Sequence, residues 1–190
     1  MKLILVCQTE AAGPRLDSSS ENPAQSATNR AGASAKEAAR DLLDRFQLAA
    51  VYTSSAPPAL ETASVIADAA GLVPVVIDEP LPPEGAGIED LISDDARMTA
   101  LNAGEQLEEV QERAWRMIEM IRDATDAAAT AVVVSDSIVI RAAVSRLLGL
   151  ALADWRRFEI APASITTLDF RPTRMILAGL NETCHLEGIA

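Results

Sequence analysis

The chain has 190 residues, 49 % of them hydrophobic but only 3 % aromatic, and its 28 acidic against 16 basic side chains give a formal net charge of −12. A single domain of this size buries roughly 70 % of the surface its unfolded form exposes, so neither disulfides nor structural metals are needed to hold it. The negative field repels nucleic acid and anionic lipid, the shortage of rings argues against a base-stacking platform, and a phosphorylated ligand would need a local cationic pocket.

Lys2 to Val6 (KLILV) is an apolar run with the length and content of a strand covered on both faces. Cys7, Gln8, Thr9 and Glu10 follow at its carboxyl end, the edge at which open α/β sheets bind ligands. Residues 11–33 lack apolar periodicity and read as a long loop over that strand end. A helix is predicted from Ser34, with Ala38, Leu42, Leu43 and Phe46 on one face, and residues 49–54 (AAVYTS) read as a second strand. Pro57 and Pro58 suit a first helical turn, and the helix they open stops at Gly71. Val73 to Ile77 is the third predicted strand.

Residues 78–103 are acidic and broken by Pro80, Pro82, Pro83, Gly85 and Gly87, which suggests an excursion carrying a short helix near Glu89 to Arg97. Glu105 to Asp123 has Leu107, Val110, Ala114, Met117, Ile118 and Ile121 at helical spacing. Its methionines and Trp115 are core rather than a cofactor box. Ala131 to Val134 is a second fully apolar strand, ending in Ser135, Asp136 and Ser137, and a helix over 138–149 closes on Gly149. Ser164 to Phe170 and Arg174 to Ala178 form a terminal hairpin. The alternation of strand and helix predicts one domain over 1–190: a three-layer α/β/α sandwich on a mostly parallel sheet.

Two cysteines, Cys7 and Cys184, make neither a metal pair nor a disulfide framework, and no apolar run approaches the roughly 18 residues of a membrane span. The expectation is a cytosolic protein with no cofactor and no bound metal.

MKLILV with its polar run, VYTSSAPPALETASVIADAAGL, GEQLEEVQERAWRMIEMI, AVVVSDSIVIRAAVSRLLGL, FEIAPASITTLDF and LNETCHL together resemble the histidine phosphatase superfamily, the phosphoglycerate mutase-like fold. The resemblance runs in order along most of the chain. It implies a site at the carboxyl ends of the first and fourth strands, where the family has Arg-His-Gly-Glu: the His takes up the phosphoryl group and the Arg holds its oxygens. Here Cys7 stands for the Arg, Gln8 for the His and Thr9 for the Gly, with Glu10 retained. The second phosphate-holding Arg, at the start of a helix, becomes Pro58; the general-acid Glu of the excursion aligns with Pro83, near Gly87; and the second His, of a Ser-His-Gly run, becomes Asp136 between Ser135 and Ser137.

Chemistry gives these replacements one sense. A phosphoryl acceptor needs a nucleophilic lone pair, and an amide nitrogen delocalised into its carbonyl offers none, so Gln8 cannot form a phosphoenzyme. The transition state needs fixed positive charge, which neither Cys7 nor Pro58 supplies, and losing one such donor alone lowers a rate by about 10²- to 10³-fold. Asp136 adds repulsion. A cysteine-phosphatase loop is also excluded by spacing: Arg15 lies eight residues beyond Cys7, whereas such loops place it after five. Cys7 therefore reads as a buried small hydrophobe, His185 as a structural hydrogen-bonding residue, and Arg141 and Arg146 as surface or ion-pair residues.

The expectation is a degenerate homologue with no catalytic residues, acting as a binding or regulatory module. Its ligand-binding positions are Cys7, Gln8, Thr9, Glu10, Pro58, Ser135, Asp136 and Ser137, for a protein or small-molecule partner that includes a second copy of the chain. The alternative is a hydrolase or phosphatase repurposed around a metal held by Asp136 and Glu10.

Overall fold

A computed structural model describes residues 1–9, 23–77 and 99–189, with backbone alone at 23–28 and 99–106. Lys2–Cys7 forms β1, which pairs parallel and in unbroken register with β4 (Thr130–Ser135), Lys2 opposite Thr130 and Cys7 opposite Ser135. β2 (Leu48–Thr53) and β3 (Val75–Val76) continue the parallel part, while β5 (Ile165–Arg171) and β6 (Arg174–Glu182) pair antiparallel on the other side. The order across the sheet is β3-β2-β4-β1-β5-β6. β1 is thus interior, which is why its five residues from Leu3 to Cys7 are at most 3 % exposed and show no polar alternation.

Each face of the sheet is roofed by a helix pair. Ile4, Val6, Val132, Val134 and Ile165 pack under α1 (Pro23–Arg45) and α2 (Pro57–Ala70). Leu3, Leu5, Cys7, Ala131 and Val133 pack under α3 (Thr99–Ala124) and α4 (Ser137–Leu148). Each fully buried Ile or Leu in these layers contributes about 1.5–3 kcal/mol. Gly71 (φ 67°) and Gly149 (φ 65°) end α2 and α4 in the left-handed conformation, which releases their own N–H groups and those of Leu72 and Leu150 to the last-turn carbonyls.

This is the expected α/β/α sandwich on a mostly parallel sheet, with the terminal hairpin in place, and it corrects several boundaries. The loop predicted over 11–33 is helical from Pro23 onward, because proline is suited to a first turn and Ala, Gln and Arg favour helix without an apolar stripe. Residues 11–22 lie outside the described part. α3 begins at Thr99 rather than Glu105, so 99–103 belong to a helix and not to the excursion; the rest of the excursion, with Pro83, Gly87 and the short helix over 89–97, lies outside the described residues. The third strand shrinks from 73–77 to two residues, with Val73 83 % exposed, and the last strand extends from Ala178 to Glu182. A 3-10 turn at Leu152–Arg157 was not expected; it packs on α4 and puts Trp155 beside Arg141.

Candidate functional site at the carboxyl ends of β1 and β4

Because β1 and β4 run parallel and end level with one another, they deliver Cys7, Gln8 and Thr9 beside Ser135 and Asp136. The Gln8 N–H donates to the Ser135 carbonyl at 2.8 Å, which ties the two strand ends together. The start of α2 closes one side. There the Thr62 hydroxyl donates to the Pro58 carbonyl at 2.7 Å and accepts from the Thr9 N–H at 3.1 Å. With its one hydrogen so used, Thr62 accepts from the Thr9 hydroxyl as well, at 3.1 Å. Sequence reading found neither Thr62 nor its tie to Thr9: the contact spans 53 residues and leaves no local pattern.

Asp136 has a role that the sequence signalled and the resemblance obscured. It is the N-cap of α4, one carboxylate oxygen accepting the N–H groups of Ile138 (2.7 Å) and Val139 (2.9 Å). An Asp directly before the apolar run SIVI is a helix-start signal in its own right. Loss of solvation holds the Asp136 carboxyl above its ordinary pKa, opposed by the two N–H bonds. A raised folded-state pKa means a stability contribution that is full below the ordinary carboxyl pKa and lost as pH rises through the folded one. Urea unfolding from acidic to neutral pH should therefore show Asp136→Asn gaining on the parent as pH rises, since the amide keeps the cap and cannot ionise. A pH-independent difference would contradict this.

Cys7 faces α3 and α4 and is 3 % exposed. Burial, and then the neighbouring Asp136 carboxylate, push its thiol up to about 12, against a smaller downward pull from Arg141. It is a thiol at neutral pH and not a nucleophile. Arg146 pairs with Glu112 at 2.6 Å over Trp115, the ion-pair role expected of it. Arg141 is instead half-buried with its Nε atom out of solvent, its guanidinium 5.4 Å from the Trp155 ring centre and acting on Cys7, and so does not take the surface role expected. His185 is not a ligand of the cleft: its Nε2 meets the Ala163 carbonyl at 3.0 Å.

Of the expected site residues, the structure thus brings Cys7, Gln8, Thr9, Pro58, Ser135, Asp136 and Ser137 to one edge, Ser137 as the first residue of α4. Glu10 and Pro83 lie outside the described residues. Among the described residues no group of three His, Cys, Asp or Glu side chains is placed to hold a metal ion. Among the described residues the Gln8 side-chain oxygen is buried with no hydrogen-bond partner, and the ends of β1, β2 and β4 carry the buried polar residues Thr9, Thr53, Ser54 and Ser135.

A doubly wound sheet with antiparallel strands added at one edge and polar residues gathered at the carboxyl ends of β1 and β4 is the phosphoglycerate mutase-like fold. The chain belongs to the histidine phosphatase superfamily (branch 1), whose family model matches residues 86–183, more than half of its length. That span includes β4 and Asp136 and leaves out β1 and Pro58. Similar solved structures include a phosphoserine phosphatase from Entamoeba histolytica in complex with 3-phosphoglyceric acid (TM-score 0.71, 21 % identity, 97 % of this chain and 98 % of that one). Bacillus stearothermophilus YhfR superposes with a TM-score of 0.73 at 19 % identity, covering 98 % and 99 %. A mycobacterial glucosyl-3-phosphoglycerate phosphatase complexed with VO3 gives 0.71 at 20 % identity, covering 96 % and 99 %. No curated protein matches the chain.

Proposed function

We propose that this protein is a non-catalytic member of its superfamily, a binding or regulatory module that uses the cleft at the ends of β1 and β4 for a ligand other than a phosphate ester. The observation that carries the reading is Asp136. It stands where the family places a phosphate-binding imidazole, and it is committed through one oxygen to the first turn of α4. Beside it are a thiol kept protonated and an amide without a nucleophilic lone pair, Cys7 and Gln8. Such a floor offers neutral hydrogen-bonding groups and one carboxyl group, with Arg141 as the cation that acts on Cys7. A phosphate dianion is better served by the guanidinium clamps that Cys7 and Pro58 replace.

Assays with a generic aryl phosphate and with 3-phosphoglycerate, each with and without Mg²⁺ or Mn²⁺, should show no turnover above background. Melting curves should not shift with phosphate, sulfate or either metal. Turnover that disappears in Gln8→Ala or Asp136→Ala would overturn the proposal, and a metal-dependent shift abolished by Asp136→Asn would favour instead a hydrolase repurposed around Asp136 and Glu10.

A further inference from the structure

Ala163 is fully buried and adopts φ 58°, a left-handed conformation that residues other than glycine and asparagine avoid. The loop that contains it abuts the candidate site. Ala163 N–H donates to the Cys7 carbonyl at 3.0 Å, and Cys7 N–H donates to the Ser164 carbonyl at 3.0 Å, so the last residue of β1 is held through both its N–H and its C=O by this turn.

The turn is in turn held from outside. The Ala161 N–H donates to the Asn181 side-chain oxygen at 2.7 Å. His185 reaches the Ala163 carbonyl at 3.0 Å, and since a carbonyl only accepts, Nε2 carries the hydrogen. Asn181 is itself left-handed (φ 51°), a conformation asparagine tolerates, and its N–H donates to the Thr166 hydroxyl at 3.2 Å. Next to it, Glu182 is bound by Arg45 at the end of α1, at 2.9 Å. A continuous path therefore runs from α1 through the end of β6 to Ala163 and on to Cys7.

We propose that Asn181 and His185 are positioning residues, a latch that holds Ala163 left-handed and thereby fixes the carboxyl end of β1 where Cys7 and Gln8 sit. The latch acts on the backbone of the site and is independent of what the cleft binds. Amide hydrogen exchange in the intact protein tests it. In Asn181→Ala and His185→Leu, the amides of Cys7 and Ala163 should exchange about tenfold faster, the effect of one lost buried hydrogen bond, while those of Ile4 and Val132 in mid-strand keep their rates. His185→Gln, whose side-chain N–H can reach the same carbonyl, should restore slow exchange.

Equal acceleration at all four amides, or none, would overturn the latch. Where His185→Leu does not fold, the same substitution combined with Ala163→Gly should fold, because glycine takes the left-handed conformation unaided. Failure of that double variant would overturn it too.

Discussion

Treated with an alkylating reagent at mildly alkaline pH, the folded protein should react promptly at exposed Cys184, whereas Cys7 should react about 10³-fold more slowly than an ordinary thiol. The factor follows from the rise of the Cys7 pKa from 9.0 to about 12, since only the thiolate attacks and each unit removes a further tenfold of it. The same shift is a stability statement. The native state retains the proton longer than the unfolded one, so the contribution is full below the ordinary thiol pKa and is lost as pH climbs from 9.0 toward about 12. Three units correspond to roughly 4 kcal/mol. Urea unfolding across that range should show the parent losing stability relative to Cys7→Ala, which has nothing there to ionise. Prompt labelling of Cys7 in the folded protein would reopen covalent chemistry at this position.

The second large effect is expected from Thr62→Val. Thr62 is 1 % exposed and its hydroxyl serves three partners, the Thr9 N–H, the Thr9 hydroxyl and the Pro58 carbonyl. Valine fills the same volume but leaves the buried Thr9 N–H and the Thr9 hydroxyl without this partner. A buried donor left without an acceptor costs about 1–3 kcal/mol, and two such groups place the change near the upper end. For a chain of this length that is a drop of roughly 5–10 °C in melting temperature. Thr62→Ser keeps the hydroxyl and should lose about 1 kcal/mol or less, the worth of a methyl group. A valine variant that melts with the parent would mean that the α2 start is not tied to the β1 end in solution.

What could be read from the sequence, and what could not, divides along physical lines. β1 and β4 were legible because interior parallel strands must be apolar throughout, and LILV and AVVV have few other uses. α2 and α4 were bounded by Pro57, Pro58, Gly71 and Gly149, residues whose backbone limits are local properties. The first half of α1 was missed because PAQSATNRAGA signals helix through propensity and not through an apolar stripe; the stripe begins at Ala35, Ala38 and Leu42. At the site, the strand ends could be placed from the pattern alone, but the role of Asp136 as a cap was hidden behind its alignment with an imidazole. The Thr9 to Thr62 and Ala163 to His185 contacts join residues that only the folded chain brings together.

The unbroken pairing of β1 with β4 on one side and β5 on the other has a consequence for biosynthesis. β1 is made well before its neighbours: Lys2 to Cys7 must wait for Thr130 and then for Ile165. At about 5–20 residues per second on the ribosome that delay is on the order of 10–30 s, during which the segment LILVC has no sheet to join. Assembly therefore completes only after β5 has emerged, and nascent chains stalled before that point should depend on chaperones that shield a bare apolar strand.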